Sequence, residues 1–167
     1  MPDTLDNLQA AFAGESQANR KYLAFAKKAQ QQGFPEIARL INAAAQAETV
    51  HAHAHLRVMN GIKDTKENLK AAVAGEHHEF VSMYPEFLKK AEEEKNAAAA
   101  ASFRFALAVE GVHHQLYTEA LKSLEAGKDL PRRDVYVCPV CGNTVYDKAP
   151  DKCSICNARG DQFLKIN

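Results

Sequence analysis

The chain has 167 residues, enough for one domain of ordinary size and a small appended module. Lysine plus arginine equals aspartate plus glutamate at 21 residues each, so the charge balance favours neither nucleic acid nor an anionic membrane as a partner. No apolar run reaches about 18 residues, and the first residues lack the pattern of a secretory leader. A soluble, cytoplasmic protein is therefore expected.

Four helices are predicted in the first three quarters of the chain. Residues 4–126 are rich in Ala, Glu, Lys and Leu and poor in β-branched residues, as helices are. Helix-start and helix-stop residues divide this region at about 4–31, 35–59, 65–94 and 96–126. Pro85 falls inside the third helix, where it is expected to kink the helix or break its hydrogen-bond ladder locally.

The composition changes after Gly127. Residues 128–134 are predicted to form a linker, and the rest of the chain carries all four cysteines between short β-branched stretches. The sequence therefore predicts two domains, a helical domain over residues 1–130 and a small β metal-binding domain over residues 131–167.

The motif Glu-x-x-His occurs twice, as Glu48/His51 and as Glu110/His113. Both copies fall on helix faces that are otherwise apolar. Charge on a buried face costs several kcal/mol per ion, even after the protein relaxes. Two carboxylate–imidazole pairs on such faces therefore indicate a pair of metal ions that neutralises them.

The helical region also contains an internal repeat. The sequence Ala-x-Ala-Gly-Glu that ends at Glu15 recurs 61 residues later and ends at Glu76. Tyr22 recurs as Tyr84 62 residues later, the same separation as the two Glu-x-x-His motifs. The region therefore resembles two copies of one helical hairpin.

Each predicted helix carries an acid on its apolar stripe near mid-length. These acids are Glu15, Glu48, Glu76 with Glu79 one turn later, and Glu110. A single glutamate on a helix ordinarily faces solvent. Here all of them lie on apolar stripes and two have histidine at i+3, the known pattern of ferritin-like di-iron and di-manganese proteins. Such carboxylate-rich coordination favours iron or manganese over zinc.

Other polar residues near these stripes have less definite roles. His55 lies on the stripe without an acid at i−3, and we expect a hydrogen-bonded residue rather than a ligand. Tyr22 and Tyr84 lie about two turns from Glu15 and Glu76, where they either pack as aromatics or donate a hydrogen bond to a metal-bound carboxylate. The remaining histidines are predicted to lie at the surface: His53, His77, His78 and His114.

The cysteines form two Cys-x-x-Cys turns, Cys138/Cys141 and Cys153/Cys156, separated by 11 residues. Each such turn presents two thiolates to one ion, so the pair predicts a tetrahedral four-thiolate site. The spacing alone does not choose between iron and a structural zinc ion.

Taken together, these motifs resemble those of the rubrerythrin family over nearly the whole chain. The resemblance implies an all-α, ferritin-like four-helix bundle followed by a small rubredoxin-like β metal-binding domain. It implies two non-haem iron ions in a di-iron site and one iron ion in the tetrathiolate site, where zinc stays an alternative. One departure is Gly111, which stands beside Glu110 where the family commonly has an acid; we expect it to matter little.

The resemblance also implies a role for each site residue. Glu48 and Glu110 would bridge the irons, Glu15 and Glu79 would bind one iron, and Glu76 and His113 would bind the other. The family pattern implies that His51 replaces Glu79 as a ligand when the site is reduced. Tyr22 and Tyr84 match family tyrosines that hydrogen-bond to site carboxylates. Catalytic roles are therefore expected for Glu79, His51, Tyr22 and Tyr84, and metal ligation by Cys138, Cys141, Cys153 and Cys156.

The activity implied by the resemblance is an NADH-linked reduction of hydrogen peroxide to water, a defence against oxidative stress. Electrons would come from an external donor, rubredoxin or an NAD(P)H-dependent reductase, through the tetrathiolate iron. A ferroxidase or iron-handling protein with a structural zinc module is the alternative, and a non-enzymatic zinc-ribbon structural or sensor protein is a third hypothesis. No nucleic-acid or membrane partner is expected.

The connection between the second and third helices bears on the assembly. A ferritin-like crossover runs along the bundle, about 30 Å for helices of this length, whereas residues 60–64 can span at most about 17 Å. The chain therefore either forms simple up-down turns or exchanges helix pairs with a second copy. We favour the exchange, and predict a homodimer in which the helix hairpins are swapped.

Overall fold

The computed structural model describes residues 2–167, which form two compact units. The first unit ends at Lys63 and the second comprises Asp64–Asn167. The first consists of two helices, α1 (Thr4–Gln31) and α2 (Pro35–Val58). None of the helices in residues 2–167 is long and apolar enough to span a bilayer.

The ends of α1 and α2 follow from local chemistry. Asp3 caps α1, since its carboxylate accepts a hydrogen bond from the Asp6 backbone N–H at 2.9 Å, and Asp6 reciprocates at 3.1 Å. The chain then turns at Gly33, whose φ of +82° suits glycine because it has no Cβ. Pro35 starts α2 at a position where its missing N–H costs no hydrogen bond. The two predicted helices are thereby confirmed.

Small side chains line the contact between α1 and α2. The buried residues of this unit are alanines, apart from one asparagine: Asn19, Ala26, Ala29, Ala38, Ala45 and Ala52. Alanine lets two helix backbones approach closely, and Asn19 adds a polar tie across that seam. Its side-chain amide donates to the Ala45 carbonyl at 2.7 Å and to Thr49 Oγ1 at 2.8 Å.

The helices of the second unit include an interruption at the predicted place. Helix α3 (Thr65–His78) runs into a π-helical turn, Glu79–Met83, and then into α4 (Tyr84–Glu93). Pro85 offers no N–H to the ladder, and the widened turn before it absorbs that loss. Helix α5 (Ala97–Glu125) returns along both, capped by Asn96, whose side chain accepts from the Ala99 N–H at 3.1 Å.

Gly111 accommodates this π-helical turn. A Cβ at position 111 would lie 3.0 Å from the Phe80 ring, closer than side chains ordinarily approach. The glycine therefore lets the Phe80 ring lie against α5 one residue after Glu110. A side chain at position 111 would force the Phe80 ring to shift.

The end of the chain forms a small antiparallel sheet. Strands β1 (Val135–Val137) and β2 (Thr144–Tyr146) were predicted as β-branched stretches, whereas β3 (Leu164–Ile166) was not. The order is β2-β1-β3, with Val135 opposite Tyr146 on one side and Ile166 on the other. The sheet positions both cysteine turns. The predicted domain boundary between residues 130 and 131 stays a prediction.

We predict that replacing Asn19 loosens the α1–α2 hairpin. Asn19→Ala removes two hydrogen bonds from a buried seam and should lower the free energy of unfolding by about 1–3 kcal/mol. Chemical denaturation followed by far-UV circular dichroism, at one fixed protein concentration, measures the difference.

Asn7→Ala is the matched control, because Asn7 lies on the exposed first turns of the same helix. It should change the free energy of unfolding by less than about 0.5 kcal/mol. Equal stabilities of the two variants would show that the Asn19 bonds add nothing.

Candidate metal centres

Three groups of side chains in the described residues bring potential metal ligands together. Within each group the ligand atoms lie within 4.8 Å of one another. Two groups are carboxylate–imidazole clusters, one in each unit, and the third consists of the four cysteines.

The first carboxylate cluster lies on α1 and α2. It contains Glu15, Glu48 and His51, with His51 Nδ1 3.3 Å from Glu48 Oε2 and 4.0 Å from Glu15 Oε2. The i,i+3 spacing puts Glu48 and His51 on one face of α2. His51 is the more open of these side chains, with 55% of its surface exposed against 18% for Glu48.

The second carboxylate cluster, on α3 and α5, repeats this geometry. His113 Nδ1 lies 2.9 Å from Glu110 Oε2 and 3.8 Å from Glu76 Oε2. In both clusters the Nδ1 nitrogen therefore faces the carboxylates, as the internal repeat predicts. The second cluster is the less exposed, since 26% of the His113 side chain is accessible.

Close contact between the carboxylates shifts the pKa of Glu76 in the second cluster and of Glu15 and Glu48 in the first. Burial, a hydrogen bond with Glu110 and the charge of Glu110 together raise the pKa of Glu76 to about 7. In the first cluster, a hydrogen bond from Glu15 to Glu48 raises the pKa of Glu15 and lowers that of Glu48. Close carboxylates resist double ionisation, so a cation that compensates their negative charge fits both clusters.

The remaining predicted site residues occupy different positions. Glu79 begins the π-helical turn and lies outside the cluster formed by Glu76, though its charge contributes to the raised pKa of Glu76. Burial, followed by the charges of Glu79, Glu110 and Glu76, raises the pKa of Tyr84, so this phenol lies near the acids. Tyr22 packs near Phe25 at a ring-centroid distance of 6.3 Å.

His55 lies close enough to Glu15 for a protonated imidazole to lower the pKa of Glu15, but His55 is not part of the first cluster. Of the histidines predicted at the surface, His53, His77 and His78 are exposed, and the half-buried His114 ring lies 5.1 Å from that of His77.

The four cysteines form a site with the dimensions of a tetrahedral metal centre. Cys138 Sγ lies 3.6 Å from Cys156 Sγ, and Cys141 Sγ lies 3.6 Å from Cys153 Sγ. A tetrahedron with metal–sulfur bonds of about 2.3 Å has sulfur–sulfur edges of about 3.8 Å, whereas a disulfide has about 2.0 Å. All four are free thiols. The donor set therefore fits one tetrahedral ion, iron or zinc.

Backbone geometry shapes the two cysteine turns alike. The residue after each second cysteine has positive φ, +88° at Gly142 and +61° at Asn157. Although burial raises the pKa of Cys153, N–H groups of Cys156 and Ile155 lower it overall to about 6. Burial, the largest cause, raises the pKa of Cys141. Four thiolates this close together would repel one another, so a cation that binds all four would stabilise the ionised set.

A side-chain contact that sequence patterns do not predict joins the second cluster to the cysteine module. Thr144, at the start of β2, has its hydroxyl oxygen 3.1 Å from His113 Nε2. The two residues are 31 positions apart, so no helix or turn periodicity relates them.

Comparison with known proteins agrees with both kinds of site. Residues 6–121 match the family model described as Rubrerythrin, and residues 136–164 match the one described as Rubrerythrin, rubredoxin-like domain. The chain belongs to the rubrerythrin family. The predicted family and the fold class, a ferritin-like four-helix bundle with a small four-cysteine sheet domain, are thereby confirmed.

Similar proteins cover almost the whole chain. Rubrerythrin-2 of Clostridium acetobutylicum is 34% identical over 174 residues, which cover 96% of this chain and 95% of that protein. Nigerythrin of Nitratidesulfovibrio vulgaris is 36% identical, with 96% and 85% covered. A solved structure of nigerythrin in its fully reduced, all-ferrous state has 34% identity and a TM-score of 0.57, covering 99% of this chain and 88% of that chain.

The residues of a di-iron site and of a four-cysteine rubredoxin-like site are both present in this rubrerythrin-family chain. The role of each ligand stays a prediction.

The raised pKa of Glu76 predicts a pH dependence of the metal-free protein. Between the ordinary pKa of 4.5 and about 7, the folded chain keeps a proton on Glu76 that the unfolded chain releases. Stability therefore falls as pH rises through this window. Glu76→Gln should flatten that fall and stabilise the metal-free chain above pH 7, because glutamine has no proton to lose.

Denaturation of the metal-free protein at several pH values across this window tests the prediction. Glu93→Gln, on the exposed surface of α4, is the control and should keep the slope of the parent. An unchanged slope in Glu76→Gln would contradict the assignment.

Proposed function

We propose that the chain is a non-haem di-iron peroxidase that reduces hydrogen peroxide to two waters. The observation that carries the proposal is the contact between the four-cysteine module and a carboxylate cluster within one unit, through Thr144 and His113. A ferroxidase needs the carboxylates but has no use for a thiolate site in contact with them. An enzyme that accepts electrons from an external donor does need such a thiolate site next to its carboxylates.

The ligands divide between the two carboxylate clusters. We propose that Glu48 and Glu110 bridge two iron ions. Glu15 and Glu79 then complete one iron position, and Glu76 and His113 the other. Iron held by these carboxylates would supply the two electrons that peroxide reduction consumes, and iron held by the four cysteines would be the entry point for electrons from an external donor.

The chain's own residues would supply the protons. Reduction of one peroxide to two waters also takes up two protons. Glu76, whose pKa is raised to about 7, is placed to pass protons at the site, as is the Tyr84 hydroxyl near Glu76 and Glu110. Tyr22 on α1 corresponds to Tyr84 in the internal repeat, and on that basis we propose the same proton-transfer role for it beside Glu15.

His51 and Glu79 are proposed to alternate as ligands. His51 is the most exposed member of the first cluster. Glu79 lies at the π-helical turn, outside the second cluster. His51 Nδ1 lies farther from its two acids, at 3.3 and 4.0 Å, than His113 Nδ1 does from Glu110 and Glu76, at 2.9 and 3.8 Å. Such freedom suits a ligand that binds in only one redox state.

The assembly that we propose is a hairpin-swapped homodimer. The α2 stripe with Glu48 and His51 also carries Ile37 and Val58, which are 53% and 70% exposed. A two-helix hairpin buries one face of each helix, so this stripe needs a further helical surface. Only residues 59–64 join α2 to α3, too few for a crossover along the bundle.

We place the protein in the cytoplasm, where four free thiols persist and can hold a metal. The electron donor is proposed to be rubredoxin or an NAD(P)H-dependent reductase, and the activity a defence against oxidative stress. The main rival, a ferroxidase with structural zinc, predicts no visible absorption from the four-cysteine site.

Peroxide preference is the first test of this function. The iron-loaded, chemically reduced protein, mixed anaerobically with hydrogen peroxide, should reoxidise faster than with an equal concentration of oxygen in stopped-flow absorbance. Faster reoxidation by oxygen would overturn the peroxidase proposal in favour of the ferroxidase.

The four-cysteine site is tested by donor-driven turnover. Cys138→Ser should abolish peroxide reduction coupled to a reductase while the pre-reduced carboxylate site still reoxidises with peroxide. Ser154→Ala, inside the same kind of turn, is the control and should retain turnover. Full donor-driven turnover in Cys138→Ser would remove the relay role.

Hairpin exchange is tested by mixing two inactive variants. Glu48→Ala damages the first hairpin and Glu110→Ala the second. In a swapped heterodimer, one site receives both intact hairpins, so co-refolding equal amounts should restore about a quarter of parental activity. Without exchange every site retains one lesion, and no activity returns.

Re-mixing each variant with itself is the control, and should stay inactive. Absence of complementation, with a dimer present by sedimentation, would contradict the swap.

A further inference from the structure

The Thr144 hydroxyl has a defined direction. It donates to the Gly142 carbonyl at 3.2 Å, so its one hydrogen is used there. Its oxygen, 3.1 Å from His113 Nε2, then serves as an acceptor. The donor of this hydrogen bond is then His113 Nε2–H, and Nδ1, which lies 2.9 Å from Glu110 Oε2 and 3.8 Å from Glu76 Oε2, is the nitrogen that would ligate a metal.

The conformation of the first cysteine turn, Cys138–Cys141, determines the position of Thr144. The Cys138 N–H donates to the Asn143 carbonyl at 2.9 Å, and the Gly142 N–H donates to the Cys138 carbonyl at 2.9 Å. Thr144 itself pairs with Val137 in the sheet. A turn of this kind is held by the ion that its cysteines bind, because metal affinity in small modules is folding free energy.

The same turn lies against α5. A Cβ at Gly142 would come 3.6 Å from the Val109 side chain, and Val109 is buried one residue before Glu110. Beside this contact lies a cavity of 330 Å³ lined chiefly by apolar side chains, among them Leu69, Leu116 and Tyr146. The Thr144–His113 hydrogen bond is thus a polar contact between the cysteine module and α5, next to a cavity that side chains do not fill.

We propose that Thr144 is a positioning residue that makes metal binding at the two sites of this unit cooperative. An ion at the four cysteines orders the turn from Cys138 to Thr144. Thr144 then holds His113 in the tautomer and orientation that ligates a metal beside Glu76 and Glu110. By reciprocity, metal at the carboxylate site strengthens binding at the cysteines. The inference rests on the metal sites of the proposed function but not on the peroxide reaction.

The first test measures metal affinity in the full-length protein with zinc in the four-cysteine site. Manganese(II), which prefers oxygen and imidazole ligands, is titrated into the carboxylate site and free manganese is followed by electron paramagnetic resonance. Thr144→Val should weaken binding by about 10–100-fold, the usual effect of losing a partner of a ligating histidine.

Two further variants separate the hydroxyl from its packing. Thr144→Ser keeps the hydroxyl and should restore parental affinity. Thr118→Val makes the same change on α5, where the lost hydroxyl donates to the His114 carbonyl at 2.7 Å, and should leave affinity unchanged. Parental manganese affinity in Thr144→Val, or failure of Thr144→Ser to restore it, would overturn the proposal.

Proton NMR of the protein with zinc in both sites gives a readout that packing alone does not move. The Nε2 proton of His113 should exchange slowly with water in the parent and in Thr144→Ser, and rapidly in Thr144→Val. Equal exchange rates in parent and Thr144→Val would contradict the assigned hydrogen bond.

A double-variant cycle tests the coupling itself. Emptying the four-cysteine site with Cys138→Ser and Cys153→Ser should weaken manganese binding in the parent about as much as Thr144→Val does. In the Thr144→Val background the same change should have no further effect. Additive losses, or no loss in the parent, would show that the coupling is absent. Peroxide turnover enters neither measurement, so this proposal and the peroxidase proposal can fail separately.

Discussion

Repulsion between paired glutamates is the constraint on which the arrangement of this molecule depends. Glu15 with Glu48, and Glu76 with Glu110, lie close enough together that the pKa of Glu15 and the pKa of Glu76 are both raised. Rigid helices must hold the acids there against that repulsion. The alanine seam of α1 and α2 and the long packing of α5 on α3 and α4 provide this rigidity.

The two halves share a plan and differ where the second half meets the sheet module. Tyr22 with Phe25 and Tyr84 with Phe87 have the same ring-centroid distance, 6.3 Å. The second half adds the π-helical turn, the close approach of Phe80 to Gly111, and the bond from His113 to Thr144. One cluster is therefore tied to its surroundings, while the other keeps an open histidine.

Features encoded locally could be predicted from the sequence. Caps, prolines and periodic apolar positions define the helices, and i,i+3 spacing alone brings Glu48 to His51 and Glu110 to His113. Features that depend on distant contacts could not. Strand β3 is only three residues long and all three are exposed, so only its pairing with β1 reveals it. Thr144 likewise reaches His113 through the tertiary fold.

Alanine, rather than larger side chains, forms most of the buried seams between the helices, and this has a chemical consequence. Thioethers and thiols are the side chains that peroxide oxidises most readily. In the described part of the chain the methionines are Met59 and Met83, and neither is among the buried residues. The helix contacts are thus built from methyl groups that such an oxidant leaves intact. Oxidative damage would therefore modify the cysteine thiols and the two methionine thioethers before it affected the contacts between the helices.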